Sequence, residues 1–256
     1  MYTLKKSLGQ HFLKDDNICR KIVASLQQHS FTQLLEVGPG GGALTKYLLE
    51  LSAGSGEKNI DFKAVELDDE KVDYLIKTYP GLKDKIIHKN FLEIEKPFEG
   101  KFTVVGNFPY NISTQILFKI LEWKQDVECT IGMFQKEVAQ RISAGEGNKV
   151  YGVTSVLVQA FFKVEYLFDV NPASFQPPPK VKSGVLRMLP AEKIPEMKSE
   201  KDFFLLVKTA FNQRRKTLRN SVKELFDAAI LKDELFSKRA EQLTVMEFAE
   251  LTFKMK

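Results

Sequence analysis

The chain has little of several things on which common protein chemistries depend. It holds two cysteines, Cys19 and Cys129, distant from one another in sequence. That pattern excludes a disulfide framework and offers no zinc-ligand spacing. Three histidines, His11, His29 and His88, are scattered, so no metal is expected. The opening MYTLKKSLGQHFL has no apolar signal core, and no apolar run approaches the roughly 20 residues a membrane helix needs. These absences predict a soluble, cytoplasmic protein without a membrane partner. No segment repeats.

What is present is a substantial apolar inventory. Of 256 residues, 43% are hydrophobic and 20 are Phe, and the formal net charge is +5. This suffices for one large domain, or one of ordinary size with an appendage. The charge leans toward an acidic partner such as nucleic acid without establishing one.

Apolar runs alternate with periodic segments through the first 150 residues. DNICRKIVASLQQH (16–29) has helical spacing, with Ile18, Ile22, Val23 and Leu26 on one face. QLLEVG (33–38), DFKAVEL (61–67), KIIHKN (85–90), KFTVVGN (101–107) and ECTIGMFQ (128–135) read as strands. Helices are predicted from Ala43 to Leu51, over 68–79 with acids at its start, over 113–123 with Ser113 as N-cap, and from Lys136. This alternation predicts an α/β fold with a mostly parallel sheet, helices on both faces, and ligands at the carboxyl ends of the strands. VTSVLVQAFFKVEYLF and VKSGVLRML read as further strands around a proline loop, NPASFQPPPK. PAEKIPEMKSEK (190–201) reads as a charged linker. The predicted division is a catalytic domain over 1–190 and a small helical domain over 200–256.

EVGPGGGALT follows the first of these strands. Its glycines allow a tight turn and close approach to a ligand. Gly38, Gly40 and Ala43 fit a dinucleotide fingerprint; Glu36, Gly38 and Gly40 equally fit the nucleoside pocket of S-adenosylmethionine (SAM) enzymes. Glu66, ending the second strand, could accept both ribose hydroxyls, at roughly 1.5–3 kcal/mol per charge-assisted bond. That serves either ligand, as would the next residue, Leu67, beside it. Asn90 could bond an adenine edge and Phe91 could pack on its ring.

NFPY decides between the two ligands. An aromatic exocyclic amine is a poor nucleophile because its lone pair is delocalised. Two acceptors gripping its N–H groups favour a tetrahedral nitrogen and stabilise charge developing there. The Asn107 side-chain carbonyl can be one and the Phe108 backbone carbonyl the other, with Pro109 restricting the residue before it. Tyr110 offers a stacking face, worth about 1–3 kcal/mol per base. Hydride chemistry has no use for such a group; methyl transfer from SAM does.

Six segments in order, SLGQHFL, EVGPGGGALT, AVELD, GNFPYNIS, FQPPPKVKSGV and FNQRRKTLRNS, make the chain resemble the ribosomal RNA adenine N6-dimethyltransferase family over nearly its whole length. The resemblance implies a Rossmann-like methyltransferase fold with a seven-stranded sheet, SAM as methyl donor, and, for the bacterial small-subunit branch, dimethylation of two adjacent adenosines near the 3′ end of 16S rRNA with a role in ribosome assembly. It implies that His11 and Leu13 line the cofactor, that Gly38 and Gly40 approach its methionine part, and that Glu66 meets its ribose and Asn90 its adenine. Asn107 and Tyr110 would hold the target amine, Asn107 also bordering the cofactor, and Phe175 would stack on the opposite face of the base. The family commonly has Asn at position 11, Leu at 108 and Asp at 90. For His11, only a backbone role would carry over unchanged.

From Lys208 to Lys223 there are six basic residues and no acid. Lys208, Arg214, Arg215, Lys216 and Arg219 are candidate phosphate contacts on one or two amphipathic helices, with Lys5 and Lys6 on an N-terminal arm. Such a target adenosine must be unstacked into the pocket. Other readings are a large-subunit rRNA methylase conferring antibiotic resistance, a DNA-adenine or protein-glutamine methylase, and a non-catalytic RNA-binding assembly factor or transcription factor. No exposed heptad seam is evident, so a monomer is expected.

Overall fold

The computed structural model describes residues 11–54 and 60–256; Lys5 and Lys6 lie outside them. The order is β1 (Phe12–Leu13), α1 (Asp16–Leu26), β2 (Gln33–Val37), α2 (Thr45–Gly54), β3 (Asp61–Glu66), α3 (Asp69–Thr78), β4 (Ile86–His88), β5 (Phe102–Asn107), α4 (Ser113–Glu122), β6 (Val127–Gln135) and α5 (Lys136–Ile142). There follow α6 (Val153–Gln159), β7 (Phe162–Val170), β8 (Phe175–Gln176), β9 (Ser183–Pro190), α7 (Glu200–Asn212), α8 (Leu218–Ser221) and α9 (Val245–Thr252).

Seven strands form one sheet in the order β4-β3-β2-β5-β6-β9-β7. The five from β4 to β6 are parallel, and β9 is antiparallel to β6. This is the predicted Rossmann-like architecture. Side chains alternate across a strand, and Leu34, Phe62, Ala64, Val105 and Ile131 send theirs into one core with Cys19, Ile22, Val23 and Leu26 of α1. Glu36, Glu66 and Asn107 continue that alternation at the carboxyl ends of β2, β3 and β5. Three polar groups thus arrive together on one side of the sheet.

Asp15 starts α1 by accepting from the backbone N–H groups of Asn17 and Ile18, partners the first helical turn otherwise lacks. Both cysteines are buried, and desolvation pushes their thiols up to about 12. They are inert packing residues.

The chain divides into two compact units: one holds the residues up to Ala139 with Glu165–Pro190, the other Gln140–Val164 with Ala191–Lys256. The C-terminal unit therefore recruits a segment that the sequence division assigned to the catalytic domain. Its core includes Tyr151, Phe203, Leu206, Leu218, Phe226 and Phe248. Residues 153–159 are helical, not the predicted strand. Val156, Leu157 and Val158 are all buried, so no amphipathic period marks the helix. It starts where Gly152 N–H donates to the Ser155 hydroxyl and Val156 N–H to the Gly152 carbonyl. Ser113 is not the cap of α4 but its first helical residue, and its hydroxyl donates to the Tyr110 carbonyl at 3.3 Å.

Candidate active site

One pocket opens at the carboxyl ends of β2, β3 and β5. His11, Leu13, Gly38, Gly40, Glu66, Leu67, Asn90, Phe91, Asn107, Phe108, Pro109 and Tyr110 all line it. The glycine turn forms its floor. Gly38 and Gly40 have φ of 69° and 55°, which side-chain-bearing residues rarely adopt. A Cβ on Gly40 would come within 2.6 Å of the Phe12 ring. Bare backbone is therefore required there, for the conformation and to let β1 lie over the turn.

Glu66 is buried and already accepts three backbone N–H groups, from Gly40 at 3.0 Å, Leu67 at 2.8 Å and Asp68 at 3.0 Å. A carboxylate offers about four acceptor positions, so a ribose diol would share rather than fill this group. Glu36 lies deeper. It is 1% exposed and accepts from the Thr45 hydroxyl at 2.7 Å. Burial pushes its carboxyl up to about 8, with the Thr45 hydrogen bond opposing and the Glu66 charge adding. Two acids lining one apolar pocket suit a ligand with positive charge and hydroxyls. A SAM molecule, with its sulfonium, ammonium and ribose, matches that donor set.

The adenine end is less simple than the sequence suggested. β4 stops at His88, so Asn90 caps a single 3-10 turn instead of ending a strand. Its carbonyl accepts from Leu92 N–H at 3.1 Å, and its amide donates to Glu93 at 3.0 Å. One lone pair and one N–H remain for a ligand. Phe91 is buried and meets Trp123 edge-on, 5.5 Å between ring centroids. Leu67 is 52% exposed and forms the lip.

The tip of β5 is tightly built. Gly106 and Gly132 face each other across β5 and β6. A Cβ on either would approach the Phe108 ring within 2.7 and 2.5 Å respectively. The paired glycines make a slot for that ring, which also packs edge-on against Phe134 at 5.2 Å. Phe108 therefore anchors the turn with its side chain. Asn107 donates its amide to the His11 carbonyl at 2.9 Å. A carbonyl only accepts, so the Oδ1 end of the amide is the one turned elsewhere. The Tyr110 hydroxyl meets Ser183 at 2.5 Å, and its ring lies 5.3 Å from that of His11. Ser183 was not singled out from the sequence. The available signal was its place in FQPPPKVKSGV; its position at the start of β9, opposite Gln135 at the end of β6, is set by strand register.

Phe175 departs from its expected role. It is fully buried in the main core and does not line the pocket. β8 pairs antiparallel with β1, Leu13 opposite Phe175 and Phe12 opposite Gln176. This register turns Phe175 inward and Gln176 outward, so the ring anchors the proline loop instead of offering a face to a base.

In the C-terminal unit, Lys208, Arg215 and Lys216 are exposed. Arg214 is engaged by Glu241 at 2.7 Å and by the Lys149 carbonyl, and Arg219 donates to the Leu231 carbonyl at 2.7 Å. The basic run is therefore partly structural. Of the one or two helices expected over this run there are two: α7 ends at Asn212 and α8 starts at Leu218.

Comparison with known proteins identifies the family. The model described as Ribosomal RNA adenine dimethylase matches residues 1–252. The chain belongs to this family. Among its relatives, Ribosomal RNA small subunit methyltransferase A of Cytophaga hutchinsonii is 50% identical over 97% of this chain and 95% of its own. The protein of that name from Flavobacterium johnsoniae is 51% identical over 98% and 95%. Among solved structures, a dimethyladenosine transferase from Plasmodium falciparum superposes with a TM-score of 0.77 at 25% identity, covering 94% of this chain and 96% of that one. The 23S rRNA methyltransferase ErmE shares the fold, with a TM-score of 0.70 at 22% identity over 94% and 99%. As a ribosomal RNA adenine dimethylase, the chain is a SAM-dependent rRNA (adenine-N6)-dimethyltransferase. Among the described residues no His, Cys, Asp or Glu cluster could hold a metal, and no helix is long and apolar enough to cross a membrane.

Proposed function

We propose that this chain dimethylates the exocyclic amines of two adjacent adenosines near the 3′ end of small-subunit rRNA. The observation carrying the proposal is the fixed amide of Asn107 at the pocket edge, with its nitrogen committed to His11. Its Oδ1 accepts one N–H of the target amine and the Phe108 carbonyl the other. Together they localise the nitrogen lone pair and stabilise its developing positive charge. No side chain is needed as a base, because the methylated amine is acidic enough to lose its proton to water. SAM supplies a methyl already activated by its sulfonium. The protein's work is positioning: Glu66 and the Gly38–Gly40 turn hold the donor, Asn90 and Phe91 flank its adenine, and Tyr110 stacks on the target base.

Small-subunit relatives about half identical to this chain support the substrate assignment over a large-subunit one. Lys208, Arg215 and Lys216, with Lys5 and Lys6, supply the phosphate contacts. The enzyme acts as a cytoplasmic monomer on the assembling small subunit. The test offers methyl-labelled SAM to unmethylated small subunits, large subunits, naked rRNA and DNA. Label in two adjacent adenosines of the small subunit is expected. Label confined to large subunits or DNA overturns the proposal.

A further inference from the structure

We infer that His11 is a positioning residue for the target-amine site, clasping the Asn107 amide, the Tyr110 ring and the loop after β8 into one arrangement. The inference deepens the proposed function and rests on it for the identity of the amine.

Three contacts converge on His11. Its carbonyl accepts from Asn107 Nδ2 at 2.9 Å. Its ring lies 5.3 Å from Tyr110, tilted by 32°. Its Nδ1 is 2.9 Å from the Pro177 carbonyl. That carbonyl can only accept, so Nδ1 carries the proton. Behind His11 runs a short zipper. Beyond the β1–β8 pairing, Lys14 N–H donates to the Ser174 carbonyl at 2.9 Å, and the Ser174 hydroxyl donates to Asp15 at 3.0 Å. The Nδ1 bond extends that zipper by one residue through a side chain. His11 is thereby fixed from both sides before its carbonyl meets Asn107.

The fixing matters because the terminal torsion of an asparagine is broad and roughly two-fold. One orientation presents a carbonyl to the incoming amine; the other presents an NH2 that repels it. The His11 carbonyl selects the first. The same clasp joins β1, which lies over the glycine turn, to the residues that receive the base. Cofactor cover and base site are therefore one unit.

Three variants test this. His11→Ala removes the ring and the Nδ1 bond, leaving the carbonyl fixed from the β1–β8 side only. His11→Asn places an N–H as many bonds from the backbone as Nδ1. His11→Gln places it one bond too far. The Ala variant is expected to lose about tenfold in kcat while KM for small subunits stays within about threefold. Asn should recover most of the loss and Gln should not. Independently of RNA, hydrogen exchange of the Asn107 side-chain NH2, assigned by NMR through its loss in Asn107→Ala, should accelerate several-fold in the Ala and Gln variants only. An unchanged kcat and unchanged exchange in His11→Ala, or equal losses in the Asn and Gln variants, overturns the inference. If the wild-type protein methylates no rRNA, the functional proposal falls, and the exchange data still decide the clasp.

Discussion

Replacing Glu36 with glutamine should remove a pH-dependent cost that the fold carries at its own pocket. Glu36 is 1% exposed, and burial raises its carboxyl from 4.5 to about 8. Between those values the folded protein holds a proton that the unfolded chain has released. Stability therefore falls as pH rises through that window and levels off above it. At about 1.4 kcal/mol per pH unit, the loss is about 3 kcal/mol by pH 7 and about 5 kcal/mol by pH 9. Glutamine is neutral in both states, and its carbonyl can still accept from Thr45. Urea unfolding of the SAM-free protein should show the two proteins nearly equal at pH 5. The glutamine variant should gain about 3 kcal/mol by pH 8. A difference that stays flat from pH 5 to pH 8, or a variant that loses ground as pH rises, refutes the reasoning. In the wild type a cationic donor beside Glu36 favours its ionised form, so the stabilisation given by saturating SAM should grow from pH 6 to pH 8.

Two further outcomes follow from the geometry. Gly132→Ala places a Cβ 2.5 Å from the Phe108 ring and 2.7 Å from Phe134; overpacking of this kind should cost about 1–3 kcal/mol in urea unfolding, whereas Gly145→Ala, with nothing within 4 Å, should cost far less. Arg215→Ala with Lys216→Ala should reduce the slope of log affinity for small subunits against log salt by about 1.4–1.8 without changing stability, while Arg214→Ala should destabilise the fold because it breaks the Glu241 and Lys149 contacts.

The sheet and its ligand edge were legible because β2, β3 and β5 carry short apolar stretches that run up to a glycine, an acid and an amide. Parallel strands buried on both faces read that way, and their carboxyl ends are where this architecture places ligands. Other features depend on tertiary context. The helix at 153–159 is rich in β-branched residues, and its neighbours, not its sequence period, make it helical. The recruitment of Gln140–Val164 into the C-terminal unit leaves no local mark. Phe175 shows the limit most clearly: an aromatic before three prolines is visible in the sequence, but the direction of its ring is set by a register against β1. Asn90 likewise looked like a ligand contact, yet its amide also caps a turn.

The most direct test of the account is Asn107→Ala, with methyl transfer and SAM binding measured side by side. Losing one acceptor at the reacting nitrogen should slow transfer by about 10²–10³-fold, with SAM affinity changed only a few-fold. Transfer at the wild-type rate would contradict the claim that the tip of β5 holds the amine, and loss of both activities together would move Asn107 from the chemistry to the cofactor.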